Sequence, residues 1–165
     1  MNIQDLKERC ESSKTFKEYE EDHKDNYLYA LFSLFEATST PDFQLGYYSK
    51  SAKKAHIFEI SDEINGNADD KIFGDVVPKP LLIEVVKIDF PMAISKAKQI
   101  QEKYYKKEML LKTLAILQNL DQIVWNITFF TQTFSTINVK INALNGEVLD
   151  HSLGRLFDFD KGKKE

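Results

Sequence analysis

The chain has 165 residues, 42% of them hydrophobic and 29% charged, with a net charge of −4. That length fits one domain burying about 70% of its unfolded surface, which needs no disulfide or metal to hold it, and the lone Cys10 excludes an intrachain disulfide framework and a Cys-based zinc site. The acidic balance, with Arg9 and Arg155 as the only arginines, argues against DNA and RNA partners, which need a cationic surface and forked Arg contacts.

In chain order, Asn2 is placed to cap a helix whose apolar residues Ile3, Leu6 and Cys10 follow helical spacing. Ser12 and Ser13 interrupt it, and Thr15-Phe16-Lys17-Glu18 reads as a capping box opening a second short helix with Phe16 and Tyr19 on one side. Three strands follow. Residues 26–37 (NYLYALFSLFEA) are apolar at nearly every position, as in a strand covered on both faces. Residues 43–49 and 55–61 are separated by turn-type and Lys-rich connections. The polar run EINGNADDKIFGDVVPKP lies within a long surface loop, residues 62–80, with a short extended piece near Leu81 to Val86. Its carboxylates Asp62, Glu63, Asp69, Asp70 and Asp75 miss the spacing of a calcium loop, because Ile72 occupies the bidentate position. They read as a solvated acidic loop.

Asp89 before Phe90-Pro91 is a helix start, and Ala93, Ile94, Ala97, Ile100 and Tyr104 form an apolar stripe along the helix to about Tyr105. Strands are expected over 110–119, 122–131, 136–143 and 147–152, with Asn145-Gly146 as a type I′ hairpin turn. The whole is an α+β domain over residues 1–160, with helices packed on an antiparallel β-meander. It divides into an αβββ half (2–61), the loop (62–80) and an αββββ half (81–153), followed by a polar tail (154–165). A pseudo-repeat of two αβββ units and two unrelated halves fit this pattern equally well.

Side chains alternate along strands. Ile123, Trp125, Ile127, Phe129, Ile137, Val139, Ile141 and Ala143 therefore belong to a face under the helix, with Trp125 as a core anchor. Asn126, Thr128, Asn138, Lys140 and Asn142 belong to the opposite face. The run from Asp89-Phe-Pro-Met-Ala-Ile-Ser-Lys-Ala97, through VWNITF (124–129), to INVKINALNGEVLDH (137–151) resembles a PepSY domain, of cystatin-like architecture, over residues 88–152. Ala93 and Ala97, Trp125, and Val139 to Val148 carry that resemblance. It implies a small α+β module without chemistry of its own, of the kind that inhibits or regulates peptidases or acts in protein interactions.

His23, His56 and His151 are the only imidazoles, and none stands in a tight ligand or catalytic spacing. No phosphate-cradling loop, dinucleotide fingerprint or nucleophile elbow occurs. No catalytic residue, metal ligand or cofactor is therefore assigned. The leading expectation is a non-enzymatic module binding a protein or peptide through a sheet face or edge. Its candidate surface is Asn126, Thr128, Lys140 and Asn142, with Tyr47 and Tyr48 as neighbours. The alternative is a small-molecule-binding protein or unrecognised enzyme, with a pocket between helix and sheet lined by Phe32, Tyr47 and Phe58. A homodimer formed at the edge strand 148–153 stays open. The sequence starts without an apolar leader and holds no run of ~20 apolar residues, from which a cytoplasmic protein with no membrane span is expected.

Overall fold

Asn2 caps α1 (Ile3–Glu11) as its spacing predicts, its side chain accepting from the Gln4 amide at 2.9 Å. Ile3, Leu6 and Cys10 line the buried side. Ser13, not Thr15, caps α2 (Lys14–Asp22). Its hydroxyl accepts from the Phe16 amide and donates to the Cys10 carbonyl, so one residue closes α1 and opens α2. The capping-box signature at Thr15 gives way because Thr15 already lies inside the helix, where its hydroxyl donates to the Ile64 carbonyl. These positions come from a computed structural model that describes residues 2–69 and 76–156.

Four strands follow: β1 (Tyr27–Glu36), β2 (Phe43–Ser49), β3 (Lys54–Ile60) and β4 (Ile64–Asp69). After a 3-10 turn at Ile83–Val85 come α3 (Phe90–Tyr104), β5 (Leu110–Asn119), β6 (Ile123–Thr131), β7 (Ser135–Asn142) and β8 (Val148–Arg155). Among the described residues all eight strands make one antiparallel sheet in the order β4-β3-β2-β1-β5-β6-β7-β8. β1 and β5 pair at the centre, with Leu31 between Leu45 and Leu117, and each meander runs outward from there.

The helices lie on one face. Ala93 and Ala97 of α3 are fully buried, and their small side chains let the helix settle close over β6 and β7. Trp125 is fully buried beneath it and donates its indole N–H to the Ile88 carbonyl at 2.8 Å. Phe90 at the start of α3 packs edge-on against Trp125, Phe35 and Phe43, tying the two halves into one core. On the other side Phe16 and Tyr19 of α2 pack against Phe58, and Phe16 also meets Tyr47.

Four expectations change. Residues 64–69 of the presumed loop form β4, pairing with β3 from Ile60↔Ile64 to Ala55↔Asp69; of the carboxylates assigned to that loop, Asp70 and Asp75 lie outside the described residues. The Asn145-Gly146 turn is not type I′, because only Gly146 has positive φ (80°). The Gly146 amide instead donates to the Asn142 carbonyl, and the Asn142 side chain accepts from Leu144 and Asn145. β8 extends through Gly154 and Arg155, the first residues expected in the tail, whose part beyond 156 also lies outside the described residues. Finally, Tyr104 does not join the buried stripe of α3; Gln101 does, donating to the Tyr105 and Glu108 carbonyls to hold the helix end.

Candidate functional site

With α1, α2 and α3 all on one face, the other face carries no covering helix among the described residues. Its character changes from one side to the other. On β6 and β7 it is amide-rich: Asn126 pairs in register with Lys140, Thr128 with Asn138, and Val124 with Asn142. Asn138 donates to Asn126 at 2.6 Å and to Thr128 at 3.0 Å, while Asn142 donates to Gln122 and accepts from its own turn. Cross-strand pairs of this kind stabilise a sheet, so Asn126, Thr128 and Asn142 spend much of their hydrogen-bonding capacity on one another and on neighbouring residues. Lys140 lies among them, opposite Asp150 on β8.

On β1, β2, β3 and β5 the same face is apolar. Tyr29, Ala30, Tyr48 and Ala55 form a second buried cluster, with Tyr27, Phe32, Ile57 and Ile116 packed against it. A bulge between Leu28 and Ala30 lets consecutive residues Tyr29 and Ala30 face this side while Leu28 stays in the main core. The Tyr29 ring then lies over Gly46, where an added Cβ would come within 2.6 Å of it. Leu34 is exposed further along β1.

A strap borders this apolar half. Pro78 and Pro80 hold the residues before them extended. The strap is pinned at four points: Tyr27 donates to the Pro78 carbonyl at 2.6 Å, Asn119 to the Pro80 carbonyl at 3.0 Å, the Leu81 amide to the Leu28 carbonyl at 2.9 Å, and Lys79 pairs with Asp121. Between strap and sheet lies a cleft of about 500 Å³, floored by Tyr29, Phe32 and Ile116 and walled by Val76, Val77 and Pro78.

The structure thus brings Asn126, Thr128, Lys140 and Asn142 together on the open face, with Tyr48 on the same face in β2. Tyr47 is not among them. It points into the main core, its hydroxyl donating to Glu11, and burial holds that phenol far above its ordinary pKa. The pocket expected from Phe32, Tyr47 and Phe58 does not form as described, because Phe32 faces the open side and the other two the helix side. The strap-bordered cleft was not legible in the sequence, since its walls come from β1, β5 and residues 76–79; the Val-Val-Pro-Lys-Pro run was the one available signal.

The remaining reactive groups are occupied structurally. Burial pushes the Cys10 thiol up to about 12, with the Glu11 carboxylate adding to the effect. His23 and His56 both pack on the Tyr19 ring, at 4.4 and 4.6 Å between centroids, while His151 meets the Tyr105 hydroxyl at 2.7 Å and stacks on Tyr104. Burial, followed by repulsion from His23, lowers the His56 pKa. Among the described residues no three His, Cys, Asp or Glu side chains are grouped to hold a metal ion.

No family profile matches the chain, and a search of curated proteins finds no significant match. The PepSY resemblance of residues 88–152 therefore has no family match behind it. Among solved structures, the fold is similar to that of a protein from Clostridium difficile 630 described as a "putative lipoprotein", with a TM-score of 0.52 and 12% identity, covering 83% of this chain and 88% of that one. That likeness is one of fold. It overturns the cytoplasmic expectation: the same architecture serves a protein described as a lipoprotein, and an apolar leader missing at the start of a sequence fixes no compartment. Among the described residues no helix is long and apolar enough to cross a membrane.

Proposed function

We propose that the protein is a non-enzymatic interaction module that binds a protein or peptide through the open face of its sheet. The observation that carries this reading is the asymmetry of the two faces among the described residues: one is roofed by α1, α2 and α3, while the other keeps an aromatic and aliphatic strip over β1, β2, β3 and β5 with no helix above it. The four buried residues of that strip are edged by half-buried Phe32, Ile57 and Ile116 and by exposed Leu34, and accessible apolar surface of this kind marks interaction sites. Within the face, the self-bonded amides of β6 and β7 form the hydrated margin and the apolar half supplies the contact. The non-enzymatic part of the proposal is supported by the engagement of Cys10 and all three histidines in packing and hydrogen bonds.

The PepSY likeness belongs to this proposal at the level of architecture, supported by α3 followed by the β5–β8 meander with Trp125 beneath the helix. A pseudo-repeat is likewise part of it, supported by the mirrored strand order about the β1–β5 centre. A membrane-anchored or secreted setting is proposed by likeness to the Clostridium difficile protein.

The test is affinity capture with two double variants. F32S/I57S alters the apolar half and T128A/K140A the amide half, and both would first be checked for a native melting transition. A specific partner retained by the second variant and lost by the first supports the proposal. A partner held equally by both places the contact elsewhere.

A further inference from the structure

We infer that the cleft between the strap and the sheet is a binding site for an extended apolar peptide segment of a partner protein, lying alongside Val76 to Pro78. This rests on the open-face reading above and assigns its subsite and occupant. The strap that walls the cleft shows the kind of chain this part of the sheet holds. It is a Pro-flanked chain held extended, and its Pro78 carbonyl takes a hydrogen bond from Tyr27. An extended chain exposes its carbonyls and amides and loses little freedom on binding, so a second one fits alongside the strap.

Next to that pinned stretch, Val76 and Val77 are 69% and 53% exposed. Among the described residues their backbone groups take part in no hydrogen bond, so they present N–H and C=O groups along the rim of an apolar cleft. An extended chain laid there pairs with that backbone and drops alternate side chains onto Phe32 and Ile116. A lipid chain would fill the same apolar floor without using the rim. The polar end of the cleft, at Gln118 and Asn119, offers amides to the peptide's backbone where the floor ends.

The experiment uses the full chain. A phage-displayed random-peptide library is selected against it, and an enriched peptide is synthesised with and without N-methylation of its backbone. Binding is then followed by amide and methyl shifts of isotope-labelled protein. The expected result is shifts at Val76, Val77 and Ile116, loss of binding on N-methylation, and about tenfold weaker binding by Val77→Asp. Thr128→Ala, on the amide half, should leave affinity unchanged. A peptide that maps to the open face away from the strap, around Tyr48 and Ile57, overturns the cleft assignment and leaves the open-face reading standing. Failure to enrich any peptide, or mapping to the helix side, overturns both. Dodecanoate shifting Val76 and Val77 when no peptide does so overturns the peptide and assigns the cleft to an acyl chain.

Discussion

Ser33 and Trp125 illustrate opposite ways of placing a polar atom in this core. The Trp125 indole reaches the Ile88 carbonyl, so the largest buried side chain also fixes the connection entering α3. Trp125→Phe should cost about 1–3 kcal/mol, from the lost hydrogen bond and the volume left behind, as read from urea unfolding. Ser33 is 1% exposed on the central strand, and its hydroxyl has no hydrogen-bond partner among the described residues. Ser33→Ala should therefore leave stability unchanged or raise it by about 1 kcal/mol; a clear loss would mean that the hydroxyl has a partner. Cys10, buried and raised to about 12, should resist alkylation by iodoacetamide at neutral pH in the folded protein and react once it is unfolded. Rapid labelling of the native protein would contradict that placement.

At the scale of elements, the sequence reveals what local chemistry determines. Asn2 and Asp89 announce their helices because the cap is a contact with the next turn. β1 is legible from its nearly continuous apolar run, and β2 from the turn-type residues before it. β4 is not, because Ile64-Asn-Gly-Asn-Ala-Asp69 has little β propensity and becomes a strand by pairing with β3 at the sheet edge. Gly46 gave no signal either, since its reason is a ring carried by another strand. Gly46→Ala should push on Tyr29 and cost about 1–3 kcal/mol. The docking of α2 onto β3 carries a pH dependence. His56 is held neutral by burial, with His23 adding repulsion, so its folded pKa lies below the ordinary ~6.5. Between those two values the unfolded chain binds more protons, so stability is complete above about pH 6.5 and falls as the pH drops toward the lowered value. His56→Phe should flatten that limb of a urea-midpoint profile; an unchanged slope would assign it to other groups.

For the whole molecule, the sequence predicts an α+β domain and a polar face but not where the working surface lies. Asn126, Thr128, Lys140 and Asn142 were recognisable by alternation, yet only the fold places Asn138 so that it bonds two of the others. The apolar half was hidden because β1 reads as buried on both sides, whereas on its open side Leu34 stands exposed and Phe32 is half-buried. On the proposed function, partners meet this face and not the helix layer. The most direct measurement is photo-crosslinking in cells that naturally produce the protein, with benzoylphenylalanine at Leu34 or Ile57 on the open face and at Lys17 or Lys98 on the helix side. Cross-links to a defined protein from Leu34 or Ile57, and none from Lys17 or Lys98, are the expected result. Cross-links from the helix positions alone would contradict it.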